Sequence, residues 1–149
     1  MKIYQLLFLA MGWLLSAGVF AADADPAKKK ELCGETGEFK AAWTIGEAWG
    51  TSYLMSWFKN DATKSVLCMS ESGPDGEKFL FKNTYLTAAS VKFTAGNCSF
   101  DGGPDNFVLA ELVDDGGVST TAFKAWRFDV RTKKLRYLDA GKVECVLKP

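Results

Sequence analysis

Histidine is missing from this chain of 149 residues, which nevertheless carries 18 carboxylates, 18 lysines and arginines and four cysteines. Serine–histidine and cysteine–histidine nucleophiles, histidine zinc sites and imidazole acid–base catalysis are therefore excluded. Ser56-Trp57-Phe58-Lys59 matches the Ser-x-x-Lys pattern of serine acyl-transferring enzymes, but the Ser-Asp-Asn and Lys-Thr-Gly companions of that chemistry are absent. A glycosidase-type acid and base would have to come from Asp101, Asp105, Glu111, Asp114 and Asp115. Most of these stand in glycine-rich turns, where aspartate serves the backbone and stays hydrated. The same residues lack the ligand ladder of a calcium loop. No metal site, no cofactor and no catalysis are expected, with a histidine-free hydrolase as the last alternative.

None of Cys33, Cys68, Cys98 and Cys145 has the close Cys-x-x-Cys spacing of redox or metal chemistry. All four read as structural disulfides, and of the three possible pairings Cys33–Cys68 and Cys98–Cys145 are preferred. The first would tie the ends of a helix spanning Thr36 to Lys59, and the second would clip the last strand to the loop where the sheet begins. Each closes a loop of roughly 35 to 50 residues, worth about 3–4 kcal/mol by chain entropy.

Persistent disulfides need an oxidising compartment, and the N-terminus supplies an export signal. Lys2 is followed by an almost wholly apolar stretch from Ile3 to Leu15, and Val19-Phe20-Ala21 offers small residues where a signal peptidase reads. Residues 1–21 are predicted to be a removed leader, 22–32 a polar tether, and 33–149 a single globular domain in the periplasm or outside the cell. Without Lys2 the chain has 17 basic against 18 acidic side chains, or about −1. A chain so close to neutral has no long-range field for nucleic acid or anionic lipid. No later stretch is long and apolar enough for stable membrane insertion.

The positive signal is a surface. Arg127, Arg131, Lys133 and Lys134, with Lys124 and Arg136, gather near two adjacent predicted strands. Trp126, Trp49 and Trp43 are candidate anchors, because tryptophan and arginine dominate interface hot spots. The expected partner is another protein.

These residues need elements to hold them. From Thr36 to Lys59, Phe39, Ala42, Trp43, Gly46, Trp49, Gly50, Tyr53, Leu54 and Trp57 fall on one helical arc. Ala42, Gly46 and Gly50 run along its centre, as a packing seam or a shallow groove. Beyond Lys64 the period alternates. Turn signals at Ser72–Gly76, Asp101–Asn106, Asp114-Asp115-Gly116-Gly117 and Arg131–Lys134 separate short apolar runs, including Phe107–Val113, Leu135–Leu138 and Lys142–Leu147. The predicted fold is α+β, one long amphipathic helix packed on an antiparallel β-meander and braced by disulfides. The alternative is an all-β meander or small barrel, which needs a hairpin at Gly46-Glu47 and places Glu47 on the aromatic face.

A glycine-spaced helix followed by a strand with Leu67-Cys68-Met69-Ser70-Glu71 resembles small periplasmic immunity proteins that guard bacteria against peptidoglycan-cleaving effectors. The likeness covers about a quarter of the chain, and the β-rich second half departs from their all-helical pattern. It implies an inhibitor, immunity or envelope-accessory role. A small-molecule or lipid carrier, using the seam between helix and sheet, is the second expectation.

Overall fold

The computed structural model describes residues 25–87, 91–113 and 119–146. The predicted leader and the turn Asp114-Asp115-Gly116-Gly117 lie outside the described residues. Among the described residues, twelve strands and one short helix follow one another: α1 (Pro26–Cys33), β1 (Glu38–Ala48), β2 (Thr51–Lys59), β3 (Lys64–Gly73), β4 (Gly76–Leu86), β5 (Val91–Ala95), β6 (Cys98–Phe100), β7 (Gly103–Pro104), β8 (Val108–Val113), β9 (Ser119–Thr121), β10 (Lys124–Asp129), β11 (Lys134–Leu138) and β12 (Val143–Val146), the last preceded by a 3-10 turn at Ala140–Lys142. They form three antiparallel sheets, ordered β1-β2-β3-β4, β5-β8-β10-β11 and β7-β6-β12-β9.

The long helix does not exist. Residues 38 to 59 form a hairpin, with the chain reversing at Trp49 and Gly50, whose φ angles of 52° and 75° are both positive, as a tight two-residue hairpin turn demands. Two irregularities interrupt the alternation of β1. The register with β2 shifts between Phe39 and Ala41 and again between Thr44 and Gly46, leaving Lys40 and Ile45 unmatched. Each extra residue flips the side-chain phase. Phe39 therefore packs with Phe58 on the outer face, while Trp43 lies against the inner core.

Burial assigns the layers. Ile45, Tyr53, Met55, Trp57, Leu67 and Met69 of the first sheet meet Phe93, Ala95, Leu109, Trp126 and Phe128 of the middle sheet in one core. The reverse side of the middle sheet contributes Val108, Ala110, Leu112 and Ala125 to a second core with Cys98, Val143 and Cys145 of the third sheet. β8 is thus dry on both faces, which is why it reads as an apolar run interrupted by Glu111. The Trp57 indole N–H donates to Ser65 Oγ at 3.1 Å, so that ring is buried without an unmet donor.

Both disulfides pair as expected, for other reasons. Cys33–Cys68 staples α1 to β3, closing a third small cluster with Phe58 and Val66 on the outer face of the first sheet. Cys98 and Cys145 stand directly opposite each other on β6 and β12. The stretch read as a tether holds α1, capped by the Asp25 side chain. Its Lys29 is buried in an ion pair with Glu77 of β4 rather than solvated.

The small-residue stripe also resolves. Gly50 serves the turn, whereas Gly46 makes room for a ring: a Cβ there would lie 2.6 Å from Phe107 Cζ. Phe107 is thereby seated against β1 and within 6.4 Å of the Tyr53 ring. Replacing Gly46 by alanine should cost about 1–3 kcal/mol, the usual penalty for overpacking. In a Phe107→Leu background the same change should cost much less, and a double-mutant cycle by urea unfolding measures the difference.

Candidate functional site

The hairpin of β10 and β11 carries most of the predicted basic cluster, and its register explains how the charges are held. Arg127 pairs directly opposite Arg136, an unfavourable like-charge arrangement unless counter-charges are supplied. Two aspartates supply them. Arg127 Nε lies 2.8 Å from Asp105 Oδ2, and Arg136 Nη2 lies 2.9 Å from Asp129 Oδ2. Asp129 also builds the turn, its Oδ1 accepting the N–H groups of Arg131 at 2.9 Å and Thr132 at 3.1 Å. Those contacts, the Thr132 N–H foremost and then the Arg131 N–H and the Arg136 charge, hold its carboxyl below the usual aspartate value. Asp105 likewise accepts the Phe107 N–H at 3.0 Å, so the loop before β8 is tied to the same cluster.

Between these groups lies an open cleft of about 430 Å³, bordered by Arg127, Arg131 and Arg136, by Asp129, and by the apolar Phe107, Val130 and Leu138. Phe128 and Tyr137 also border it, but their rings pack on the opposite face, against Tyr53 and Trp126, and Phe107 and Val130 are likewise partly buried against the first core. Three guanidinium groups face two carboxylates, and the Arg131 side chain makes no ion pair among the described residues. The cleft therefore offers a positive charge beside apolar walls.

The other predicted site residues fall elsewhere. Lys133, held at φ 54°, ion-pairs with Glu71 of β3 and stands 5.6 Å over the Tyr53 ring. The Glu71 contact, followed by the neighbouring Tyr53 and the Glu71 charge, raises its pKa. Lys134 lines a second groove on the far side of β11. Trp126 is only 2 % exposed and belongs to the first core, so the reading of it as a surface anchor is corrected. Trp43 is half-buried against the same core. Trp49, at 82 % exposure, projects from the β1–β2 turn. Asp105, Asp129 and Phe107 were not singled out as partners of the arginines. The signal for the aspartates was present in the turn at Arg131–Lys134, since placing it fixes Arg127 opposite Arg136 and calls for neutralising carboxylates.

One titratable group is unlike the rest. Glu111, on β8, is 1 % exposed, and its Oε2 has no hydrogen-bond partner among the described residues. Burial raises its pKa above the ordinary 4.5, opposed by Lys124, whose Nζ lies 3.6 Å away across the sheet. Tyr85, pushed up mainly by its own burial, also feels this carboxylate. No second carboxylate acts on Glu111 among the described residues. Among those residues, no group of three or more cysteines and carboxylates is placed to hold a metal ion.

No protein-family model matches the chain, and comparison with the curated proteins and with the solved structures finds no match.

A carboxylate with a raised folded-state pKa binds its proton more tightly folded than unfolded, so its charge destabilises above the folded pKa and that loss vanishes below the unfolded one. Glu111→Gln should therefore be more stable than the parent at pH 7, by about 1–3 kcal/mol. The advantage should shrink as the pH falls through the raised pKa toward 4.5. Urea unfolding of both proteins across that range is the check.

Proposed function

We propose that this chain is an exported, non-catalytic protein-binding domain, acting as an inhibitor, immunity factor or envelope accessory, and that its β10–β11 cleft takes an acidic segment of the partner. The observation that carries this reading is the convergence of Arg127, Arg131 and Arg136 on one open cleft, with Arg131 in no ion pair among the described residues. Arginine suits the task because its planar fork meets a carboxylate through two parallel hydrogen bonds, and its plane tolerates apolar neighbours such as Phe107 and Leu138. Asp105 and Asp129 hold two of the three guanidinium groups in place before a partner arrives, which lowers the entropy lost on binding.

Two disulfides fit an oxidising compartment. No helix among the described residues is long and apolar enough to cross a membrane. The carrier alternative loses its ground, because the seam it needed lay beneath a helix that is a hairpin. The likeness to helical immunity proteins loses its helix in the same way, so the role rests on the cleft alone.

The test is capture of partners from the native envelope fraction by the mature domain, with Arg127→Ala and Arg131→Glu alongside. Arg131→Glu should lower recovery of the specific partner at least roughly tenfold while leaving the melting temperature near that of the parent, since an exposed charge contributes little to stability. Equal recovery by all three proteins would reject the cleft as the binding face.

A further inference from the structure

We infer that β11 is a docking edge that accepts an extended strand of the partner, in which acidic residues alternate with apolar ones; this rests on the reading of the β10–β11 hairpin as the binding face. β11 ends the middle sheet, with β10 on one side and no strand on the other among the described residues. Every second residue of such an edge directs its N–H and C=O outward, ready to pair.

The two faces of β11 differ in chemistry. Leu135 and Tyr137 lie on the side of the first sheet, where Tyr137 meets the Trp126 ring at 5.7 Å. Arg136 and Leu138 lie on the cleft side. On the first side, β4 and β11 run along the same margin of the sandwich and leave a groove of about 360 Å³ lined by Leu80, Phe81, Asn83, Lys133, Lys134 and Leu135. A strand laid beside β11 would sit about 4.8 Å away with its side chains alternating between the same two faces. Every second residue would then cover Leu80, Phe81 and Leu135, and the residues between would reach the guanidinium groups of Arg136 and Arg131. One extended segment thus fills the groove and the cleft together, provided its pattern is apolar toward the first sheet and acidic toward the cleft.

β11 is the receptive edge rather than β4. The register of β4 with β3 shifts so that Leu80 is unmatched, and such a bulge spoils an edge for pairing. Lys82 of β4 is also engaged by Glu35 and by the carbonyls that end α1. Two registers of self-pairing with a second copy of this chain are disfavoured by charge. Antiparallel self-pairing of β11 centred on Leu135 sets Lys134 opposite Arg136, and centring on Arg136 sets that residue opposite itself. The cations that oppose those two registers are the ones an acidic strand would satisfy.

The probe is a blocked peptide of about nine residues alternating glutamate with valine, long enough to span a typical strand. It is compared with a lysine–valine peptide of the same length and with the glutamate–valine peptide N-methylated at alternate residues. Binding to the intact protein is followed by amide hydrogen exchange. The inference expects the first peptide to bind and to slow exchange at alternate residues of Lys134–Leu138 by at least roughly tenfold, and both others to bind at least roughly tenfold more weakly. Equal binding of the N-methylated or the lysine peptide, or no binding by the first, would overturn it. So would a protein dimer that protects β11 without any peptide. Loss of partner capture by Arg131→Glu together with any of these results would leave the arginine cleft standing and remove only the added strand.

Discussion

Val108 to Leu112 must be shielded from water on both sides, and most of the architecture follows from meeting that demand. A strand apolar at nearly every residue cannot sit at the surface of a two-layer protein. Here the first sheet covers Leu109, and the third sheet, cross-linked between β6 and β12 by the Cys98–Cys145 bridge, covers Val108, Ala110 and Leu112. Glu111 is the one polar residue in the run and carries the electrostatic cost of that double burial. The two-sided core fixes β10 beside β8, and β10 in turn fixes β11.

The same layering decides where recognition can occur. The third sheet covers only part of the middle sheet, so the outer ends of β10 and β11 stay open and their outward residues form the arginine cleft. At that end the turn of Asp129 organises the hairpin and its second oxygen holds Arg136, so one carboxylate shapes both backbone and site. Gly46 plays a remote part: by admitting the Phe107 ring against β1, it positions the loop whose Asp105 holds Arg127. Packing in the first core and charge placement in the cleft are mechanically linked through that loop.

Much of the β-rich half was legible because its signals are local. Gly73-Pro74-Asp75-Gly76 and Arg131–Lys134 are turn chemistries that work wherever they occur, and the apolar run before Val113 announces a buried strand. The disulfide pairs were also readable, although the first one joins α1 to β3 instead of bridging a helix. The first hairpin was hidden by its own irregularity. Lys40 and Ile45, unmatched in β1, shift the alternation twice, and Trp49 occupies a positive-φ turn position where asparagine or glycine would have signalled the reversal. The basic cluster could be located but not sorted. Whether a lysine meets solvent or Glu71, and whether a tryptophan faces outward or into the core, depends on sheet partners that no local window contains.

Native-state hydrogen exchange resolved by residue tests this account most directly. If the middle sheet is covered on both faces, the amides of Leu109 to Leu112 should be the slowest in the protein, exchanging only through global unfolding, with those at Trp49 and Gly50 among the fastest. Exchange of the β8 amides through local opening, at rates close to those of the β1–β2 turn, would contradict the doubly buried strand on which the fold and the cleft depend.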